Sequence, residues 1–326
     1  MNNKKYSKIV VLFILAIGLN IQEIQAVEQV DLKLMLRPNQ KFEMRMKTKL
    51  NTSQFTERQV NKFVNEEIVD VVFYVLEVNS QGDILIKVTF EKLQTRGKSP
   101  TSTIEFDSTK PDANPKHPYA PVYSALIGQS LKIKVASNGN ILELQSIDDM
   151  ILKMAEKVIA AEDEKMDKKA KRKMNQKDET RKLIDVVFGE DKIRAMMRAF
   201  IQILPSGPVK PGDSWEGGNE IELLQGYEIN LKNTLKNYEN DTVVIDSVHK
   251  KNIDDKSIKH KNNPNMIVTK IDYKGTAQID KSNGRIIRKE VKVSFSLEVP
   301  VQGKTTPIGS FNIIKIIEPV ESVTSP

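Results

Sequence analysis

The chain contains no cysteine, three histidines and one tryptophan among 326 residues, and aromatic residues make up only 6% of it. The missing cysteine excludes disulfides, thiolate metal sites, cysteine nucleophiles and a lipid-modified cysteine. His117, His249 and His260 are not spaced three or four residues apart, as two imidazoles sharing one metal on a helix face would be, so no metal site is expected. His117 lies in a Pro-rich loop and the other two lie in Lys/Asn-rich turns, and all three are expected to face solvent. No serine-nucleophile elbow, phosphate-cradling glycine loop or dinucleotide fingerprint occurs. The expected set of catalytic residues is therefore empty, no cofactor is expected, and the chain reads as a non-enzyme.

Long apolar runs are equally scarce. Ile9–Leu19 is apolar apart from Gly18, follows Lys4, Lys5 and Lys8, and gives way to Asn20, Gln22 and Glu23 before Ala26. That run is shorter than the roughly 20 residues a helix needs to cross a bilayer. The three zones are those of a cleavable signal peptide over residues 1–26, although Ile24 is larger than the residue usual three places before a cut. The expectation is an exported chain, periplasmic or extracellular, that is soluble and not membrane-anchored after cleavage near Ala26. Losing Lys4, Lys5, Lys8 and Glu23 would lower the net charge from +7 to +5. Part of that excess sits in Glu162–Lys182, where both signs mix without an aromatic residue; this describes a solvated surface, and nucleic acid is not expected as a partner.

Carboxylates are plentiful, and a glycosidase requires only two of them facing a cleft. The densest groups are Asp148-Asp149, Glu162-Asp163-Glu164 and Asp254-Asp255. The first suits a helix N-terminus, where the helix dipole favours acids, the second an exposed face and the third a turn.

What the sequence does have is period-two alternation, which buries one face of a sheet and wets the other. Phe42, Met44, Met46, Thr48 and Leu50 alternate with Lys41, Glu43, Arg45, Lys47 and Lys49. Ile84, Ile86, Val88 and Phe90 form a second such set, and Val291, Val293, Phe295, Leu297 and Val299 a third. One wet face implies antiparallel pairing, because parallel sheets are covered on both sides. Turn chemistry at Asn79–Asp83 and Asn138-Gly139 makes hairpins the local unit.

Helical patterns interrupt the sheet. Pro121–Ile127 stops at Gly128, Ser146 and Asp149 resemble a capping box opening an amphipathic run, and Asp191–Leu204 stops at Pro205. Around them the chain repeats itself: Arg37–Glu43 (RPNQKFE) matches Lys210–Glu216 (KPGDSWE), and Ser137–Ile141 (SNGNI) matches Ser282–Ile286 (SNGRI). Trp215 then corresponds to Phe42, a buried position, so core packing is expected for it. The fold class is α+β, mostly β: long antiparallel one-sided curved sheets in two similar lobes, at 27–145 and 206–326, with a helical segment at 146–205 between or packed on them.

These pieces together, with Ile104–Ser108 (IEFDS), Leu126–Ser130 and Tyr273–Ile286 (YKGTAQIDKSNGRI), resemble the uncharacterised exported bacterial domain-of-unknown-function family 6263. The resemblance covers most of the chain after residue 26, rests on turns and strand starts, and implies an extracytoplasmic bacterial protein without transferring an activity. The function expected is a non-catalytic periplasmic or envelope binding protein for an apolar or lipid-like small molecule, held under helices rich in methionine (Met150, Met154, Met196, Met197). No ligand-binding residue is assigned. The alternative is a structural or envelope-interaction protein, and a carboxylate-dependent hydrolase ranks last.

Overall fold

The computed structural model describes residues 29–56, 59–110, 117–165, 175–218, 220–221, 224, 227, 229, 231–249, 257–259, 265–301 and 304–321. The expected signal peptide, His260 and Asp254-Asp255 lie outside the described residues. Strands β1 (Lys41–Phe55), β2 (Val60–Val78), β3 (Ile84–Lys98), β4 (Thr103–Asp107), β5 (Ser130–Val135) and β6 (Ile141–Gln145) form the first flank. The second flank holds β7 (Ser214–Gly217), β8 (Leu231–Glu239), β9 (Thr242–His249), β10 (Ser257–Lys259), β11 (Ile267–Asp280), β12 (Ile286–Val301) and β13 (Lys304–Pro319). Helix α1 (Ala120–Leu126) interrupts the first flank, and α2 (Ile147–Lys165), α3 (Asn175–Phe188) and α4 (Glu190–Ala199) connect the two.

The fold is mostly β and antiparallel, as the alternation requires. Both flanks belong to one sheet in the order β6-β5-β3-β2-β1-β13-β12-β11-β9-β8-β7, with β4 beside β3 and β10 beside β11. Among the described residues β6 and β7 do not pair with each other, so the sheet is open and not a closed barrel. The inner face is the one read from the sequence: Met44, Met46, Ile84, Ile86, Val88 and Phe90 are all buried. The outer face is polar and carries paired charges. Arg45 binds Asp70 through two 2.7 Å hydrogen bonds, and Glu318 accepts from Lys47 at 2.6 Å and from Arg288 at 2.8 Å.

The repeated motifs adopt the same geometry. Gln40 N–H and Asp213 N–H donate to the carbonyls of Arg37 and Lys210, while the Gln40 and Asp213 side chains accept the Arg37 and Lys210 N–H groups. Both turns are clamped to a neighbouring strand: Asn39 and Gln40 bond with Val75 of β2, and Gly212 and Asp213 bond with Leu235 of β8. Each of those strands carries a bulge just beyond the clamp, between Val75 and Glu77 and between Leu235 and Asn237. In space the meander β1, β2, β3, β5, β6 and the meander β7, β8, β9, β11, β12 progress in the same direction, the second ending beside β13.

Two extended leaders, residues 29–36 and 200–209, close the base. They bridge each other at Val30 and Val209, and both dock on the Ser-Asn-Gly turns: Leu34 N–H donates to Ser137 of the first, Met35 N–H to Asn283 of the second, and Leu204 N–H to Asn138 of the first. This corrects the helix expected over Asp191–Leu204. After Ala199 the chain makes two tighter bonds, Phe200 N–H to Met197 and Ile201 N–H to Arg198, and then runs extended to reach Asn138. The capping box expected at Ser146 is not formed either, since Ser146 has φ 65°, outside the extended geometry of a capping residue.

The helices lie on the inner face and fill it. Met150, Met154 and Met197 are at most 1% exposed and belong to one apolar cluster with Met46, Val69, Phe73, Ile86 and Phe200. The crevice left between them, lined by Phe42, Phe73, Phe200 and Arg285 among others, measures ≈ 20 Å³, room for about one water. A second apolar cluster lies beyond, on the outer reaches of the long strands, and includes Val268, Val291, Val293, Phe295 and Ile313.

Candidate functional site

A polar row runs across the inner face between the two apolar clusters. Strand register aligns Thr95, Glu67, Thr48, Lys315, Val291, Gly275, Ser247 and Asn233 in sequence across β3, β2, β1, β13, β12, β11, β9 and β8. Its two ends are hydrogen-bonded. Thr95 Oγ1 donates to Asn65 at 3.2 Å, Ser247 Oγ to Asn233 Oδ1 at 2.6 Å, and Asn233 Nδ2 to the Ile203 carbonyl at 3.2 Å. Paired in this way, buried polar groups avoid the cost of about 1–3 kcal/mol that each unpaired one would carry.

Its centre is a cradle around Glu220. Tyr273 Oη donates to Glu220 Oε1 at 2.6 Å, Lys289 Nζ donates to Oε2, and Lys315 Nζ donates to the Glu220 backbone carbonyl at 3.1 Å. The three donors come from neighbouring strands β11, β12 and β13, whereas Glu220 lies outside the named strands and helices. All four residues are buried, Lys315 at 0% and Glu220 at 2% exposure. Burial and the Glu220 charge hold the Tyr273 hydroxyl well above the usual phenol range, so it stays a donor.

Sequence reasoning missed this cradle, and the signal was weak. Lys315 sits between Ile313 and Ile317, two inward positions, so period two does turn it inward. Lys289 shares the parity of Val291 and Val293, but an irregularity in the β11–β12 pairing near Ile279 breaks the alternation behind it. Glu220 lies outside any strand, and only the tertiary structure brings it to the two lysines.

Of the residues weighed from sequence, His117 is the clearest correction. It is 7% exposed, not solvent-facing, and packs in an aromatic group with Phe106, Tyr119 and Tyr123, at 5.1 Å from the Tyr123 ring. Its Nδ1 accepts the Tyr119 N–H at 3.1 Å, and burial lowers its pKa. Burial likewise raises that of Tyr123, helped by the charge of Glu67. His249 closes β9 opposite Leu231, half-buried in a strand instead of a turn. Trp215 packs against the core as expected, and its indole N–H donates to Ile203 at 2.9 Å. Asp148 at the start of α2 pairs with Arg181 at 3.1 Å. Among the described residues no group of three His, Asp or Glu side chains is arranged to hold a metal.

The chain belongs to the Family of unknown function (DUF6263), which matches residues 81–286, more than half its length and parts of both flanks. Among curated proteins none matches. Solved structures with some likeness include a lipovitellin described in terms of lipid–protein interactions, at 7% identity and a TM-score of 0.49, covering 90% of this chain. The chain spans about a quarter of that protein, 26%. DynF from the dynemicin biosynthesis pathway of Micromonospora chersina aligns over 90% of this chain and 86% of its own, at 4% identity and a TM-score of 0.22. An outer membrane channel from Pseudomonas putida F1 aligns over 88% of this chain and 97% of its own, at 7% identity and a TM-score of 0.24. Likeness at this level carries no function across.

Proposed function

We propose that this is an exported, non-catalytic binding protein that takes an apolar or lipid-like ligand on the inner face of the sheet, beyond the polar row. The observation that carries the reading is the make-up of the second apolar cluster. Helices fill the first cluster, whereas the second includes Ile221, Leu224, Tyr227 and Ile229, which lie outside the named strands and helices. These residues share one apolar cluster with Val293, Phe295 and Ile313, which supports an apolar ligand for this surface. Ligand pockets are typically apolar with a few polar groups fixing orientation, and the polar row borders this surface.

Binding of the neutral probe N-phenyl-1-naphthylamine, and its displacement by long-chain lipids, tests the reading. Leu224→Ala, which makes room in this cluster, is expected to increase probe uptake. Failure of the intact protein to take up the probe, together with no lipid in an organic extract of it, would sink the proposal.

Export is proposed from Lys4, Lys5, Lys8 and the Ile9–Leu19 run. N-terminal sequencing of the protein from its native host is expected to begin near Val27, and a retained Met1 in an extracytoplasmic sample would contradict it. The two flanks are proposed to be copies of one ancestral unit. The support is that Gln40 and Asp213 make the same hydrogen bonds in turns clamped to equivalent strands.

A further inference from the structure

We infer that the depression between the Arg37–Gln40 turn and the second Ser-Asn-Gly turn binds a phosphate monoester, with Arg37 and Arg285 as its cationic partners. This site lies at the base of the sheet, away from the apolar surface of the binding reading above, and stands or falls independently of it.

Three observations carry it. First, the free side-chain groups of the depression are donors. It measures ≈ 790 Å³, within the usual range of ligand sites, and Arg37, Asn39, Gln40 and Asn283 line it together with apolar and serine side chains but no carboxylate. The amide oxygens are already in use. Asn39 Oδ1 accepts from Tyr74 Oη at 2.8 Å, Gln40 Oε1 from the Arg37 N–H at 3.1 Å, and Asn283 Oδ1 from the Arg285 N–H at 3.0 Å. That leaves the Arg37 guanidinium and the side-chain nitrogens of Asn39 and Gln40, which have no partner among the described residues.

Second, Arg285 next to this depression is a desolvated cation without a counter-ion. Its guanidinium lies 4.3 Å from the Phe42 ring centre, and its Nε is buried without a hydrogen-bond partner among the described residues. Burial lowers its pKa, and Asp280 in the same turn is engaged by Ser282 and Asn283. The crevice that Arg285 lines meets the depression at Leu36, which lines both. Stacking on an aromatic ring fixes the plane of a guanidinium, so its donors are oriented before a ligand arrives.

Third, the matching turn of the second flank shows that the fold does not demand these residues. Asp213 stands at the place of Gln40, Asn140 at that of Arg285 and Trp215 at that of Phe42. Asp213 accepts the Lys210 N–H as Gln40 accepts that of Arg37, so the turn needs an acceptor and a carboxylate serves. A neutral residue at 40 and an arginine at 285 are what an anion site requires. Two guanidiniums and two amides offer more donors than the two oxygens of a carboxylate can use, and a phosphate monoester has three strong acceptor oxygens.

The test is calorimetric titration of the full-length protein with glucose 6-phosphate, gluconate and glucose. Glucose 6-phosphate is expected to bind at least about tenfold tighter than gluconate, and glucose not at all. Arg37→Gln is expected to weaken binding about tenfold by removing a charge-assisted pair, whereas Lys210→Gln, the same charge change at the matching turn, is expected to leave it unaltered. Arg285→Lys keeps the charge without the planar fork and is expected to weaken binding severalfold, with its fold checked by circular dichroism. Should that variant fail to fold, the exposed Arg37 still decides. Vesicles containing phosphatidic acid form a second arm: cosedimentation abolished by Arg37→Gln would place the phosphate on a lipid head, and binding of glucose 6-phosphate without cosedimentation would place it on a soluble molecule. No binding in either arm, or equal losses in Arg37→Gln and Lys210→Gln, would overturn the site. Gluconate bound as tightly as glucose 6-phosphate would overturn phosphate as its ligand.

Discussion

Asn39 and Gly212 occupy the same place in two turns made by different sequences, and both hold the backbone in the left-handed region, at φ 67° and 94°. Asparagine tolerates that conformation and glycine adopts it freely, whereas a residue with an ordinary β-carbon pays about 1–2 kcal/mol. Gly212→Ala is therefore expected to lower unfolding free energy by about that amount, since nothing lies within 4 Å of the added carbon. Urea denaturation followed by the single tryptophan measures it, and a neutral result would show that the turn relaxes.

The Ser-Asn-Gly turns predict a larger effect. A β-carbon on Gly139 would meet the Gln202 carbonyl at 2.2 Å, and one on Gly284 would meet the Lys33 carbonyl at 2.5 Å. Gly139→Ala and Gly284→Ala combine backbone strain with collision, so each is expected to cost more than Gly212→Ala and to release a leader from its turn. Faster proteolysis within residues 29–36 in Gly284→Ala, at native-like conditions, is the observable; unaltered cleavage would count against the docking.

Gln40 and Asp213 test the proposed duplication through a swap. Gln40→Ala removes the acceptor for the Arg37 N–H and is expected to cost about 1 kcal/mol. Gln40→Asp installs the second copy's residue and is expected to cost less than half as much. Equal losses in the two variants would mean that the turns are alike in shape only.

The buried pair gives a double-mutant prediction. Lys289→Met strands the Glu220 carboxylate at 2% exposure and is expected to destabilise the fold by about 3–5 kcal/mol. Adding Glu220→Gln removes the stranded charge while keeping an acceptor for the Tyr273 hydroxyl, and most of the loss is expected to return. Additive losses in denaturation would show that the two groups act independently.

Two groups act with the same sign in the response to pH but in different windows. Burial lowers the His117 pKa, so the unfolded chain binds its proton more readily than the folded one. The contribution of neutral His117 is full above about pH 6.5 and is lost as pH falls towards the folded value. Glu318 is also lowered, chiefly by the hydrogen bond from Lys47, so its contribution is full above about pH 4.3 and is lost at lower pH as the carboxyl protonates. His117→Phe is expected to flatten stability between about pH 5 and 7 and to leave the acid limb in place. An unchanged slope in thermal melts across that window would refute the assignment to His117.

Inner-face residues such as Met44, Ile86 and Val293 were legible one by one because alternation is a local property of a strand with one wet face. The paired turns were legible because positive-φ positions demand particular residues. His117 was misread because its neighbours suggest an exposed loop, whereas its burial comes from Phe106 and Tyr123, contacts that local sequence does not encode. Lys315 could be placed on the inner face by its parity, yet its role depends on a partner 95 residues away.

The sequence by itself determined the class of fold: antiparallel strands with one buried face, hairpins set by their turns, and a helical segment between two runs of strands. Only the tertiary structure decided that both flanks join in one open sheet, that both leaders dock on the Ser-Asn-Gly turns, and that Glu220 meets Lys289 and Tyr273. The reason is physical. Periodicity and turn chemistry act over a few residues, whereas strand order and buried charge pairing are fixed by contacts between groups tens to hundreds of residues apart, whose energies no local pattern records.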